Sequence, residues 1–159
     1  MPRKDGRFKR KVAKPDPRFN DTHVGAFINR MMVDGKKSTA EGLFYKTLGE
    51  LDTKVEGKAG VDIFRQAVKN AMPLVKVKAK RIGGATYQVP SEVEPRVSEA
   101  FAHRWLIIAA RKRSGRSFIE KLSNELLDAF NHKGKAVETK ESTHKMAEAN
   151  KAYAHFGRN

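Results

Sequence analysis

The sequence predicts a mainly α protein: a single-domain bundle of about six helices, with a two-stranded β-hairpin arm near residues 74–90 and an extended basic tail over residues 1–19. Apolar residues recur with a 3.6-residue period in successive stretches, and that period drops to two only around Gly83-Gly84. The tail shows neither period. The body, residues 20–159, reads as one unit because the chain is long enough for one sizeable core and no linker interrupts it.

The tail carries Pro2, Pro15 and Pro17 among its cations, which disfavours a helix. Val24, Phe27, Ile28, Met31 and Met32 then make the first helical stripe, ended by the turn pair Asp34-Gly35. Ser38 and Glu41 have capping-box spacing, and Ala40, Leu43, Phe44, Thr47, Leu48 and Leu51 continue a second helix. Gly57 and Gly60 interrupt it. Ile63, Phe64, Ala67, Val68 and Ala71 form a third stripe that stops before Pro73.

Val75, Val77 and Ala79 next alternate with lysines, and Ala85, Tyr87 and Val89 alternate with Thr86 and Gln88 beyond the two glycines. Pro90 and Pro95 are expected to close this hairpin. A two-residue Gly83-Gly84 turn sets Lys80 opposite Tyr87 and Lys78 opposite Val89, mixing charge with apolar groups on one face. A three-residue loop instead separates Val77, Ala79, Arg81, Tyr87 and Val89 from Lys78, Lys80, Thr86 and Gln88; the sequence does not choose. Helical stripes resume with Val97, Phe101, Trp105 and Ile108, then with Ile119, Leu122, Leu126, Leu127 and Phe130 behind a Ser117/Glu120 capping box. Gly134 is expected to end that helix. A last helix is expected from Thr139 to about His155, with Met146, Ala149 and Tyr153 on a weak apolar face.

Thirty-three Lys and Arg against eighteen Asp and Glu give a net charge of +15, which calls for an acidic partner. Nucleic acid fits best. An anionic membrane would require a long apolar span, a lipidation signal or one basic amphipathic helix, and the charge is instead spread along the chain. The basic N-terminus lacks the apolar stretch of a secretory signal, and the absence of cysteine fits a reducing compartment. A cytoplasmic location is expected, with an organellar one left open.

Asp34-Gly35-Lys36-Lys37-Ser38-Thr39 shares a Gly-Lys pair with nucleotide phosphate loops. Arg30 stands where the upstream glycine belongs, however, and Lys37 where Ser or Thr belongs. What remains is a helix start flanked by two lysines, suited to a backbone phosphate or simply to solvent. Arg104, Arg111, Lys112, Arg113 and Arg116 cluster on and beyond the fourth helix, more cations than its C-terminal dipole needs. Trp105 falls in register with core residues, whereas Phe8, Phe19 and Tyr87 are the better base-stacking candidates. His23, His103, His132, His144 and His155 lack metal-ligand spacing, and no serine sits in a nucleophile elbow. Neither catalytic residues, metal, cofactor nor small-molecule substrate is expected.

Four blocks carry a family resemblance: Met32-Val-Asp-Gly-Lys-Lys-Ser-Thr-Ala-Glu41; Arg81-Ile-Gly-Gly-Ala-Thr-Tyr-Gln-Val-Pro90; Arg104-Trp105 with Ala109-Ala-Arg-Lys-Arg113; and Met146-Ala-Glu-Ala-Asn-Lys-Ala-Tyr-Ala-His155. Together, and in this order, they resemble the bacterial form of small-subunit ribosomal protein S-seven. Two stretches depart from that pattern: Glu94-Pro95-Arg96-Val97-Ser98-Glu99, where bacterial relatives carry several arginines, and the ending Phe156-Gly-Arg-Asn159, which is not aromatic-rich.

The resemblance implies a helical bundle with a protruding β-ribbon and primary binding to small-subunit ribosomal RNA, nucleating head assembly. It further implies a position beside the exit-site transfer RNA and contacts with proteins S-nine and S-eleven. For ribosomal RNA the candidates are Arg3, Lys4, Arg7, Lys9, Arg10 and Lys11 of the tail, Lys36 and Lys37, Lys76 and Lys78 of the hairpin, and Arg104, Arg111, Lys112, Arg113 and Arg116. Lys80, Arg81, Gly83 and Gly84 at the arm's tip, with Lys151 and Arg158, would approach transfer RNA. A free RNA-binding regulator, including one that binds its own messenger, is the nearest alternative, and a basic enzyme acting on nucleic acid the more distant one.

Overall fold

Side-chain capping starts the first helix: the Asp21 carboxylate accepts the His23 N–H at 2.8 Å, and α1 runs Thr22–Met31. The computed structural model describes residues 13–157. The remaining elements are α2 (Lys37–Lys54), α3 (Gly60–Ala71), β1 (Val75–Ile82), β2 (Ala85–Glu92), α4 (Pro95–Lys112), α5 (Phe118–Phe130), α6 (Lys135–Ala149) and a 3-10 helix (Lys151–Gly157). The mainly α reading with one hairpin is thus correct. The chain divides into two compact units, one ending at Glu41 and the other starting at Gly42.

In the first unit, Val24, Phe27, Ile28 and Met31 are buried, as their spacing predicts. The Asp16 carboxylate accepts the Arg18 and Phe19 N–H groups, each at 3.0 Å, turning the chain ahead of the helix. Asp34 and Gly35, with φ of 53° and 73°, make the turn into α2. That helix begins at Lys37, so Ser38 lies inside its first turn and does not cap it. Glu41 instead faces Lys37, Oε1 to Nζ 3.8 Å.

In the second unit, α3, α4 and α5 pack on one another, and α6 lies against α4, α5 and the hairpin. Their core joins Phe44, Leu48 and Leu51 to Ile63, Phe64, Leu106, Leu122 and Leu126, with Phe44 edge-on to Phe64 at 5.1 Å. The buried residues of α4 are Ser98, Ala102, His103, Leu106, Ile107, Ala109 and Ala110. The expected stripe is therefore displaced: Val97, Phe101 and Trp105 are only half-buried and Ile108 is exposed.

Three further boundaries differ. The Ser117 hydroxyl caps α5 by accepting the Glu120 N–H at 3.2 Å, but the Glu120 carboxylate returns to the N–H of Arg116, one residue before the expected partner. Gly134 does not end α5; with φ 87° it is the N-cap of α6, which starts four residues before Thr139 and becomes a 3-10 helix beyond Asn150. Pro90 does not close the hairpin. It lies within β2 opposite Val77, where an isolated two-strand ribbon tolerates a missing N–H.

Candidate nucleic-acid interface

The hairpin register is now fixed. Lys80 pairs with Tyr87 and Lys78 with Val89 across a two-residue turn, whose Gly83 and Gly84 take φ of 57° and 89°. Positive φ at both positions is what a type I′ turn requires, and glycine reaches it with no steric penalty. Cross-strand partners share a face, so Lys76, Lys78 and Lys80 lie with Ser91, Val89 and Tyr87; the other face carries Val77, Ala79 and Arg81 with Pro90, Gln88 and Thr86. Lys78, Lys80 and Arg81 are exposed, Lys76 is half-buried, and Val89 is buried.

The arm is fastened at both ends. At its root the Leu74 N–H donates to His144 Nε2 at 3.1 Å, which requires a neutral imidazole. Burial, and secondarily the Lys140 ammonium, lower the His144 pKa from its ordinary value and so favour that form. Toward the tip the Lys80 ammonium donates to the Phe156 carbonyl at 2.7 Å, and Tyr87 meets Tyr153 at 4.8 Å. Sequence reasoning singled out Tyr87 but missed its aromatic neighbours. The grouping of Tyr153, His155 and Phe156 within four residues was the available signal.

The Arg111 to Arg116 run resolves into two kinds of cation. Arg113 turns into the fold: its Nε is 3.3 Å from Glu125 Oε2, and it also pairs with Asp128. Glu125 is only 1% exposed, and its Oε1 accepts the Ala136 N–H at 3.0 Å, so one carboxylate ties the C-terminal end of α4 to the start of α6. Arg104, Arg111, Lys112 and Arg116 are exposed. Trp105, half-buried, lies 5.7 Å from Phe101.

Lys36 and Lys37 are exposed at the start of α2, within the first unit, and Lys151 is exposed on the 3-10 helix. Phe19 is half-buried, with the Arg18 guanidinium 5.7 Å from its ring centre. Arg3, Lys4, Arg7, Phe8, Lys9, Arg10, Lys11 and Arg158 lie outside the described residues. Among the described residues no group of three or more His, Cys, Asp or Glu could hold a metal ion, and no helix is long and apolar enough to cross a membrane.

Within the second unit, exposed cations on the arm and on the end of α4 can contact a polyanion at several points. Comparison with known proteins gives this surface a context. The family model described as Ribosomal protein S7p/S5e matches residues 2–151. The small ribosomal subunit protein uS7 of Oleidesulfovibrio alaskensis is 52% identical over 156 residues, covering 98% of this chain and 99% of its own. That of Dehalococcoides mccartyi is 49% identical over the same span with the same coverage, and that of Campylobacter jejuni 54% over 142 residues, 89% and 91% of the two chains. By fold, by motif and by these matches, the chain belongs to the ribosomal protein S7p/S5e family.

Proposed function

We propose that the protein is a structural constituent of the small ribosomal subunit, without catalytic activity, working in the cytoplasm as a primary binder of small-subunit ribosomal RNA that nucleates head assembly. Its arm and C-terminal turn lie toward the exit-site transfer RNA, and proteins S-nine and S-eleven are its protein neighbours. The observation that carries this reading is that cations on two motif-bearing stretches, the arm and the end of α4, are exposed in a member of a ribosomal family. Multipoint phosphate contact supplies affinity and orientation without needing base-specific groups. In sucrose-gradient sedimentation of cell extract, nearly all of the protein should travel with the small subunit. A mostly free pool would favour the regulator reading instead.

The two kinds of cation at the end of α4 predict separable variants. Replacing Lys112 and Arg116 with alanine should weaken binding to a small-subunit ribosomal RNA fragment and lower the salt slope by about one per cation, with thermal unfolding unchanged. Arg113→Ala should instead lower the unfolding temperature, since it strips a buried carboxylate of its partner. Equal destabilisation by both variants would remove the distinction.

A further inference from the structure

The lysine-bearing face of the arm carries a row of four rings. Tyr87 and Tyr153 are 4.8 Å apart between centres, Tyr153 and Phe156 are 6.5 Å apart and within 23° of parallel, and His155 lies 3.8 Å from Phe156. The Lys80 ammonium, on the Phe156 carbonyl, sits beside the row, and Lys78 projects from the same face. A row serving only to close a core would be buried and kept apart from charge. Here His155, Lys78 and Lys80 are exposed and the other three rings only half-buried. The two-residue turn selects the register that mixes charge with apolar groups, which gives a ring for a base beside an ammonium for its phosphate.

We propose that this row is a stacking site for an unpaired RNA base, which packs on the exposed His155 end while Lys78 and Lys80 hold the flanking phosphates. The inference rests on the RNA-binding reading above and adds a preference for single-stranded over paired RNA at this face. Every base has a π face, so the site tolerates any base and discriminates by strandedness.

The test uses the full chain and an oligoribonucleotide of about ten nucleotides, free or annealed to its complement. His155→Leu and Tyr153→Leu should each weaken single-strand binding by about five-fold or more and leave duplex binding within about two-fold. Equal losses on both forms, or no loss on either, would overturn the site. If Tyr153→Leu also detaches the 3-10 helix, seen as a lower unfolding temperature, the exposed His155 carries the decision. In reconstituted subunits the parent should protect from chemical modification a base that His155→Leu leaves reactive, and its position tells ribosomal from bound transfer RNA. No such base would count against the proposal. Failure of the parent chain to bind any ribosomal RNA fragment would sink the underlying reading, whereas normal fragment binding with indifferent variants would sink only the stacking site.

Discussion

Raising salt from about 50 to about 200 mM is expected to weaken binding to a small-subunit ribosomal RNA fragment by roughly a thousand-fold, the loss that follows when about six phosphate contacts release their counterions. The net charge of +15 makes such a number of contacts available. The structure narrows the candidates within the described residues to exposed groups such as Lys36, Lys37, Lys78, Arg81, Arg104, Lys112 and Arg116. Dissociation constants measured across a salt series check it. A change under about ten-fold would mean that few phosphates are neutralised and that the surface charge serves something else.

Glu125→Ala is expected to lower folding stability by about 3 kcal/mol, near the lower end for removing one partner of a buried ion pair. Its carboxylate is 1% exposed and holds both the Arg113 guanidinium and the N–H of Ala136. Truncation leaves that N–H without its acceptor at the start of α6 and loosens Arg113. For a domain of this size the unfolding temperature should drop by roughly 6–12 °C. Glu125→Gln, which keeps an oxygen for Ala136 but loses the charge, should fall between the two. A loss under about 1 kcal/mol for the alanine variant would show that Asp128 alone can hold the corner. Gly134 belongs to the same corner: a Cβ there would stand 3.1 Å from Glu125 Oε1 on a backbone with φ of 87°.

Much of the fold was legible because strong local signals agreed with the tertiary structure. Phe27 and Ile28, Phe44 and Leu48, Ile63 and Phe64, and Leu122 and Leu126 repeat at helical spacing and are all buried. The glycine pair marked the arm. Misreadings arose where the decisive partner lies far along the chain. In α4 the buried face combines Leu106 and Ile107 with Ala102, Ala109 and Ala110, whose small side chains carry little periodic signal, so the large Phe101, Trp105 and Ile108 drew the stripe to the wrong face. Gly134 resembled a helix stop because glycine favours that role, yet it starts α6 with an acceptor borrowed from α5. The Arg111 to Arg116 run looked uniform for the same reason. Asp128, which singles out Arg113, is fifteen residues away.

The Gly83-Gly84 turn also limits how an arm of this kind can change in length. Side chains alternate along a strand, so one residue added to each strand would turn the tip over relative to the root and carry Tyr87 away from Tyr153. Two residues per strand restore the orientation and extend the reach by about 7 Å. A residue added to one strand alone forces a bulge or a slip of register. Insertions that keep the arm's working face therefore come in fours, divided equally between the strands, and a variant family built on this scaffold would show discrete arm lengths rather than a continuum.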